Sequence, residues 1–322
     1  MRALVLGETP WSLRVADGLP EPVAGSGQVV VRVLGVGICG SDLALVSGNR
    51  QAPAHPWIPG HEAAGVIVAA GDGVDQARVG QRVVIEPNYP CLRCPACRSG
   101  LTSMCADRVI VGFTAPGLLA EYASVPAAYA WPVPDGWTDA DAVCAEPLTV
   151  ALAAIRRSGD KPDGDCLVIG AGSQGILLSV ALIGGGITPY VLEPDEGRRR
   201  FAVSLGAVAA SPGDDGFRSV FETSGAEAAL REAIGRSSNG AVITLIGLGD
   251  PMPRIDARLI VRHQLTLRGS LIYDHPDDFA ATLGMDNLSP GRVLRATYPL
   301  SEAAEAFRAA RTVPGKTWIT MS

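Results

Sequence analysis

The stretch "LVIGAGSQG", Leu167–Gly175, sets the architecture of the second half of this chain. It joins an apolar strand to the start of a helix and places Gly170, Gly172 and Gly175 in the spacing Gly-x-Gly-x-x-Gly. In that context the first glycine allows a tight turn, the second lets the backbone approach a pyrophosphate, and the third permits close packing of helix on strand. The N-terminus of the helix adds unpaired N–H groups and a positive dipole end. The stretch therefore predicts a dinucleotide-binding unit.

An acidic residue, Glu193, follows the next predicted strand, 18 residues beyond Gly175. A carboxylate at this position accepts hydrogen bonds from the ribose hydroxyls and repels a 2′-phosphate, which favours NAD over NADP. A short basic run, Arg198, Arg199 and Arg200, keeps NADP open as an alternative. The predicted cofactor-binding residues are Gly170, Gly172, Ser173, Gln174, Gly175, Glu193 and Arg198.

Strands and helices alternate on both sides of the glycine motif. From Pro147 onward, "PLTVALAAIRRSG" has helical periodicity. The apolar runs "CLVIG", "PYVLE", "SVFETSG", "GAVITLIG" and "LTLRGS" then alternate with helices predicted from about Gln174, Glu196 and Glu227. This alternation predicts an α/β domain over residues 147–272, with a doubly wound parallel sheet covered by helices on both faces.

The first third of the chain has a different pattern. Short β-branched runs, "QVVVRVLGVG", "EAAGVIVAAG", "QRVVIEP" and "EYASVP", are separated by glycine and proline. Such spacing predicts a β-rich, barrel-like domain, which we assign to residues 1–146. Residues 273–322 contain a predicted helix in "SEAAEAFRAARTV" and a predicted strand in "KTWITM". We expect this C-terminal segment to return to the first domain.

Four cysteines lie close together in "CLRCPACRSGLTSMC", with the spacing Cys-x2-Cys-x2-Cys-x7-Cys. Four thiolates so near one another can surround one Zn²⁺ tetrahedrally, and closed sites of this kind are structural rather than catalytic. Reduced cysteines without metal, or two disulfides, are the alternative. The spacing and the lack of secretory features favour a structural zinc lobe over residues 88–108, with Cys91, Cys94, Cys97 and Cys105 as ligands.

A second set of metal-binding residue types lies nearer the N-terminus. Cys39 stands in "GVGICGSDL", and His61 and Glu62 stand in "IPGHEAAG". Cysteine, histidine and a carboxylate form a zinc shell that leaves one position open for water or substrate. Glu146, in "CAEPLTVAL", is a further acid where a helix is predicted to begin, and stabilisation of that helix start is its alternative role.

Composition and charge exclude several classes of function. The chain has 322 residues and a net charge of −6, so it has no basic excess to attract nucleic acid or anionic lipid. The N-terminal apolar stretch is too short for a signal peptide. The most apolar stretch, residues 166–187, contains six glycines and reads as a strand, turn and helix rather than a membrane span. Seven cysteines without an export signal indicate a reducing cytoplasm.

Four motifs occur in a diagnostic order: "CGSD", "GHE", the cysteine lobe and "GAGSQG". In these motifs the chain resembles the zinc-dependent medium-chain dehydrogenase/reductase family over nearly its whole length. "EPLTVAL" further resembles the sorbitol, polyol and threonine dehydrogenase branch, where a glutamate replaces the cysteine of other alcohol dehydrogenases. The resemblance implies a GroES-like catalytic domain, a Rossmann NAD-binding domain, and two zinc ions per chain, one catalytic and one structural.

The resemblance also assigns roles around the catalytic zinc. It implies that Cys39 and His61 are ligands, and that Glu62 and Glu146 are acidic partners. One of the two acids binds the metal directly and the other acts through bound water, and the sequence leaves open which is which. Asp42 matches the position that orients the histidine ligand.

The proton relay expected from the resemblance is incomplete. Ser41 matches the hydroxyl group of the relay and is a predicted catalytic residue. The family often has a histidine five residues after the cysteine ligand, and this chain has Ala44 there. We therefore expect the last proton step to pass through water, the cofactor ribose or another side chain.

The implied reaction is the reversible oxidation of a secondary alcohol to a ketone, with hydride transfer to NAD. Aromatic residues make up only 5% of the chain, which disfavours a broad aromatic pocket for bulky apolar alcohols. We expect a polyol, cyclitol or aminocyclitol as substrate, followed by L-threonine and simple secondary alcohols. Candidates for binding its hydroxyl groups are Ser47, Asn49, Arg50, Glu121 and Tyr122.

The sequence leaves two alternative functions open and predicts an oligomer. An NADPH-dependent carbonyl reductase of the same fold is the alternative within enzymes. A non-catalytic nucleotide-binding protein is the alternative outside them, but the presence of Cys39, Ser41 and His61 disfavours it. The resemblance implies a homodimer or homotetramer, joined through an edge strand near "LTLRGSLIY".

Overall fold

The computed structural model describes residues 1–159, 166–249, 254–285 and 287–321. The chain divides into two compact units. The first comprises Met1–Glu146 together with the chain from Ser289 onward, and the second comprises Pro147–Leu288. Within the described ranges, no helix is both long and apolar enough to cross a membrane.

The secondary structure follows the chain in three stretches. The first contains β1 (Ala3–Leu6), β2 (Leu13–Ala16), β3 (Gln28–Gly37), α1 (Gly40–Val46), β4 (Glu62–Ala70), β5 (Arg82–Ile85), β6 (Asn88–Tyr89), α2 (Pro95–Arg98), β7 (Val109–Ile110), β8 (Tyr122–Pro126), β9 (Ala130–Pro132), α3 (Asp139–Val143) and α4 (Ala145–Arg157). The second contains β10 (Cys166–Ile169), α5 (Ser173–Gly184), β11 (Tyr190–Leu192), α6 (Glu196–Ser204), β12 (Val208–Ala209), β13 (Phe217–Glu222), α7 (Glu227–Arg236), β14 (Ser237–Leu245), α8 (Ala257–His263), β15 (Thr266–Gly269) and α9 (Asp277–Leu283). The third contains β16 (Leu294–Pro299), α10 (Ala303–Ala309) and β17 (Lys316–Thr320).

The main sheet of the first unit has the strand order β16-β17-β3-β4-β5-β9, and β8 also pairs with β3. Only the β16–β17 pair among these is parallel. The long strand β3 turns alternate side chains, Val29, Val31 and Val33, into the core. Phe307 of α10 and Ile319 of β17 are fully buried in that core. The C-terminal segment therefore supplies part of the first unit.

Register in this sheet places two distant parts of the chain side by side. Gly37, the last residue of β3, lies opposite Glu62 of β4 and opposite Trp318 of β17. A Cβ atom at Gly37 would lie 2.8 Å from Lys316 Cε and would also overlap the Glu62 carboxylate. Glycine at position 37 thus leaves the space in which these two side chains meet.

The second unit contains a six-stranded sheet in the order β12-β11-β10-β13-β14-β15. Every pairing in it is parallel, and each residue of the central strand β10 is buried. This is the strand order of a dinucleotide-binding doubly wound fold. The structure confirms the fold class expected from the glycine motif, and α6 and α7 begin at Glu196 and Glu227, where the sequence places them.

The second unit continues past residue 272, where the sequence analysis ended it. Arg156, near the end of α4, donates hydrogen bonds to Asp274 at 2.8 Å and to Asp278 at 2.7 Å. The rings of Tyr273 and Phe279 also pack together, with centroids 5.5 Å apart. These contacts hold the segment through α9 on the second unit, so the chain leaves that unit after Leu288.

Candidate functional site

Cys39, His61 and Glu62 come together in the first unit, and we call them the Cys-His-Glu cluster. One ligand atom from each residue lies within 4.8 Å of the others. Cys39 is the N-cap of α1, and Glu62 begins β4 directly after His61. His61 and Glu62 are buried, and Cys39 is half-buried. Thiolate, imidazole and carboxylate groups are the donors that catalytic zinc sites use.

Asp42 holds two residues of this cluster in place. Its carboxylate is buried and accepts hydrogen bonds from the backbone N–H groups of Cys39 at 3.0 Å and Gly60 at 3.2 Å. Asp42 Oδ1 also lies 3.2 Å from His61 Nδ1. Burial by itself disfavours a charged imidazole, but Asp42 and then Cys39 raise the pKa of His61 well above its usual value. The ring is thereby oriented with Nδ1 towards Asp42, which leaves Nε2 for a metal.

A buried lysine, which the sequence analysis did not identify, lies against the cluster. Lys316 Nζ is 2.5 Å from Glu62 Oε2, and both side chains are at most 1% exposed. The ammonium group also donates a hydrogen bond to the carbonyl of Ile38 at 3.3 Å. Burial alone would lower the pKa of Lys316, but the negative charge of Glu62, followed by Cys39 and Cys144, raises it. Lys316 is therefore a charged partner of Glu62.

One sequence signal does set this lysine apart. The chain contains only two lysines, Lys161 and Lys316, although it contains 25 arginines. Lys316 also opens a strand whose second and fourth residues are buried.

One oxygen of the Glu62 carboxylate receives no hydrogen bond from the rest of the site. Its Oε2 atom faces Lys316, whereas Oε1 is buried and has no hydrogen-bond partner among the described residues. An orphaned buried carboxylate oxygen is costly unless something fills its place. The Cys-His-Glu cluster therefore fits a bound cation.

The other predicted catalytic residues, Ser41 and Glu146, each lie in the first turn of a helix. Ser41 is half-buried in the first turn of α1, and its hydroxyl group forms no hydrogen bond within the part of the chain described. Ala44 lies on the same helix. Glu146 is buried in the first turn of α4 but is not one of the three residues whose ligand atoms converge. The structure thus brings together three of the four predicted ligands.

The four cysteines of the predicted lobe also converge. Their sulfur atoms lie within 4.8 Å of one another, and none of them forms a disulfide. The N–H group of Cys91 donates to Cys105 Sγ at 3.3 Å. Hydrogen bonds from the backbone N–H groups of Arg93 and Cys94 lower the pKa of Cys91 to about 6. Burial and the neighbouring thiols instead raise the pKa of Cys97 to about 12. The convergence of four sulfur atoms fits a structural zinc ion, and the two-disulfide alternative is not what the structure contains.

The glycine motif of the second unit forms a loop at the carboxyl end of β10. Gly172 is the N-cap of α5, which begins at Ser173. A Cβ atom at Gly175 would collide with the carbonyl of Gly170, whereas a Cβ atom at Gly172 would meet nothing within 4 Å. Gly175 is thus required for packing of helix on strand, and Gly172 keeps open the space beside the helix N-terminus where a pyrophosphate binds in such folds.

Glu193 follows β11 and is buried. Its Oε2 atom accepts a hydrogen bond from the N–H of Ala171 at 2.7 Å, and its Oε1 atom accepts one from the N–H of Asp195 at 2.9 Å. The carboxylate therefore ties the glycine loop to the end of the neighbouring strand. Each carboxylate oxygen has a second lone pair, so both can also accept a hydrogen bond from a ribose hydroxyl.

The remaining predicted cofactor residues lie close in sequence to the glycine loop and to Glu193. Gln174 Nε2 donates to the carbonyl of Pro147 at 3.3 Å. The backbone N–H of Arg198 donates to Asp195, the N-cap of α6. Arg199, which was not a predicted site residue, binds the carbonyl of Glu193 at 2.8 Å. Arg199, one of the three arginines that make NADP an alternative cofactor, is thus already bound to the backbone of Glu193.

The structure separates the residues proposed to bind substrate hydroxyl groups. Glu121 is engaged by Arg2, whose Nε lies 2.8 Å from the carboxylate. Ser47 donates to the carbonyl of Ala44 at 3.2 Å. Arg50 lies over the ring of Phe113, with its Cζ atom 4.0 Å from the ring centroid. Arg50 is thereby in contact with Phe113, whose ring lies 5.1 Å from the His61 ring.

Comparisons with known proteins agree with this geometry. Residues 25–135 match the family described as "Alcohol dehydrogenase GroES-like domain". The D-xylulose reductase of Morganella morganii is 31% identical to this chain, over 97% of this chain and 98% of the relative. The 2-dehydro-3-deoxy-L-galactonate 5-dehydrogenase of Pseudoalteromonas atlantica is 30% identical, over 88% and 87%. An alcohol dehydrogenase (rspB) of Escherichia coli CFT073, solved with NADH, is 26% identical with a TM-score of 0.91, over 100% of this chain and 99% of that one.

Fold, site and comparisons therefore define an oxidoreductase of the alcohol dehydrogenase class. More narrowly, the chain belongs to the zinc-dependent medium-chain dehydrogenase/reductase family, as its four motifs predict.

Proposed function

We propose that this protein is a zinc-dependent dehydrogenase that transfers a hydride between a secondary alcohol of a polyhydroxylated substrate and NAD. The observation that carries this proposal is the Cys-His-Glu cluster, in which three different zinc donors lie within 4.8 Å of one another. The curated relatives support the substrate class, because one acts on the ketose D-xylulose and another on a sugar acid.

Cys39, His61 and Glu62 are the residues that would hold the catalytic zinc. Glu146 is the second acid of the site and acts on bound water in this assignment, because its carboxylate does not join the converging ligand atoms. Zinc bound here would supply Lewis-acid activation of the alcohol oxygen. Lys316 limits the negative charge of the site by pairing with Glu62. Cys91, Cys94, Cys97 and Cys105 would hold the structural zinc.

Ser41 is the group that takes the proton of the substrate hydroxyl. It lies two residues after Cys39 in the first turn of α1, and its own hydroxyl makes no hydrogen bond within the described ranges. It is thus available to accept one proton and pass one on. Ala44 cannot continue the relay, so the proton leaves through water or through the cofactor ribose.

NAD is the cofactor that the second unit fits best, and it would supply the hydride acceptor. The N-terminus of α5 at Gly172 offers free space and N–H groups for the pyrophosphate. Glu193 places a negative charge beside the glycine loop, and this charge would repel the 2′-phosphate of NADP. The neighbour solved with NADH supports the same choice.

The proposal also includes a cellular compartment and an oligomeric state. We assign the protein to the cytoplasm, since none of its seven cysteines forms a disulfide and a reducing compartment keeps cysteines in that state. We also propose a homodimer or homotetramer that pairs through β15, the edge strand of the six-stranded sheet. Light scattering of the purified protein tests the second point, and a monomer contradicts it.

The decisive experiment measures NADH formation by the zinc-replete protein across polyols, cyclitols, aminocyclitols, sugar acids, threonine and simple alcohols. NADP is tested in parallel. We expect chelator-sensitive turnover of one polyhydroxylated class with NAD. The variant Cys39→Ser should lose this turnover while it still binds NAD, and Cys166→Ala serves as the control at a buried cysteine outside both metal clusters. Full activity in Cys39→Ser would refute the catalytic-zinc assignment.

A further inference from the structure

Arg50 is an exposed cation whose distance from His61 can be bounded through the ring of Phe113. Its guanidinium carbon lies 4.0 Å from the centroid of the Phe113 ring. That ring in turn lies 5.1 Å from the His61 ring, at an interplanar angle of 57°. The two separations together limit the distance between Arg50 Cζ and the His61 ring centroid to at most 9.1 Å.

The guanidinium group of Arg50 is available to bind a ligand. Within the described residues its guanidinium group has no ion pair and no hydrogen bond, and its contact is the face of Phe113. The negative charge of Asp42 attracts Arg50 electrostatically without a direct contact. The oxygens of Asp42 already form hydrogen bonds with His61, Cys39 and Gly60. Arg50 is also exposed, so its donors face solvent.

The contact with Phe113 holds the guanidinium group over the face of the ring. Because that contact uses no N–H group, the planar set of donors is left available for a carboxylate or a phosphate. The ring is itself buried, with 6% exposure, and packs in the core of the first unit. Arg50 is thus a positioned cation rather than a freely moving surface side chain.

We infer that Arg50 binds an anionic group, a carboxylate or a phosphate, at one end of a sugar-derived substrate whose reacting hydroxyl lies at the Cys-His-Glu cluster. The substrate class is then an acidic sugar derivative rather than a neutral polyol. Four carbon–carbon bonds of about 1.5 Å each span about 5 Å when extended, and a hydrogen bond of about 3 Å to the terminal anion extends this reach to about 8 Å. A five- or six-carbon chain therefore has a reach comparable with the 9.1 Å limit. This inference rests on the proposed function and narrows its substrate.

The test compares three substrate classes that differ only in the terminal group: hexonates such as gluconate, hexitol 1-phosphates and neutral hexitols. Each is assayed for kcat and KM with wild-type protein, Arg50→Met and Arg50→Lys. The matched control is Arg14→Met, which removes an exposed arginine of the same unit on β2. Binding of the acidic compounds to the protein with NAD is measured separately by calorimetry, so that the result does not depend on turnover.

We expect Arg50→Met to lower kcat/KM for the acidic substrate by roughly 10- to 100-fold, mainly through KM, as for loss of hydrogen bonds between charged groups. Neutral hexitols should change less than about twofold, and Arg50→Lys should be intermediate because lysine keeps the charge but not the planar pair of donors. Preference for hexonates or for phosphates identifies which anion is bound.

The inference fails if wild-type protein binds neither acidic class more tightly than the hexitols, or if Arg50→Met weakens all three classes equally. The second result would mean that Arg50 acts only by packing on Phe113. Turnover of neutral hexitols with no anion preference overturns this inference and leaves the proposed function standing. Anion binding that depends on Arg50, without NAD reduction by any class, supports the subsite and counts against the proposed function.

Discussion

Lys316 and Glu62 form an ion pair in the interior of the first unit, with Nζ 2.5 Å from Oε2. The two residues lie on β17 and β4, which do not pair with each other but both pair with β3. Gly37, at the end of β3, leaves the space between them. The C-terminal strand thus supplies a positive charge to the Cys-His-Glu cluster, whose three residues lie within the first 62 positions.

Replacing Lys316 with methionine tests the importance of this pair. The change leaves a buried carboxylate without its cation, which costs about 3–5 kcal/mol of unfolding free energy in comparable cases. We expect that loss in urea unfolding of the zinc-free protein. The double variant Lys316→Met/Glu62→Gln should recover part of it, because no charge then remains uncompensated. Strictly additive effects of the two substitutions would show that the pair is not coupled.

The sequence was sufficient for the parts of the site that are local. "CGSD" and "GHE" each place their residues through one turn or one strand end, and Asp42 and His61 meet as the motif predicts. The four cysteines converge because 15 residues of chain contain all of them. The doubly wound sheet follows from the alternation of apolar strands and helices around Gly170 to Gly175.

The parts that the sequence did not reveal depend on contacts between distant segments. Lys316 reaches Glu62 only through the register of β17 and β4 on β3, and no local pattern specifies that register. The second unit extends to Leu288 because Arg156 binds Asp274 and Asp278, an ion-pair network that periodicity does not report. The stacking of Arg50 on Phe113 likewise joins two loops.

Replacing one cysteine of the lobe distinguishes the structural zinc site from the catalytic one. We expect Cys94→Ser to lower the zinc content from two ions per chain to one and to lower the melting temperature, because a four-cysteine site contributes folding free energy directly. Elemental analysis and a thermal melt measure both quantities. Cys166→Ala, at a buried cysteine of β10, should keep both zinc ions. An unchanged melting temperature and two zinc ions in Cys94→Ser would contradict a structural metal site.

Asp42→Asn tests the orientation of His61. The amide oxygen can still accept a hydrogen bond, but the negative charge opposite His61 Nδ1 is lost. Loss of such an outer partner typically weakens metal binding by about 10- to 100-fold. Competition with a chromophoric chelator should therefore show weaker binding of one zinc ion and unchanged binding of the other. The control is Asp139→Asn, at a half-exposed aspartate of α3 that pairs with Arg82, and equal zinc affinities in both variants would exclude a positioning role for Asp42.

Glu193→Gln tests the choice of cofactor. In the native protein both carboxylate oxygens accept backbone N–H groups, from Ala171 and Asp195, and the side chain is buried. Glutamine has one accepting oxygen, so one of these N–H groups loses its partner, and the negative charge that repels a 2′-phosphate is removed. We expect the KM for NAD to rise by roughly 10-fold or more, as for loss of a hydrogen bond to a charged group, while the ratio of NADP to NAD efficiency increases.

Steady-state kinetics with both cofactors, and the shift of the melting temperature that each produces, measure these effects independently. Glu196→Gln is the matched control, because Glu196 is an exposed acid three residues away that pairs only with Arg200 among the described residues. If Glu193→Gln keeps the native preference for NAD, the discrimination does not arise from this charge, and Arg198 and Arg199 become the residues to substitute next. If it loses affinity for both cofactors equally, Glu193 acts by holding the glycine loop rather than by repelling phosphate.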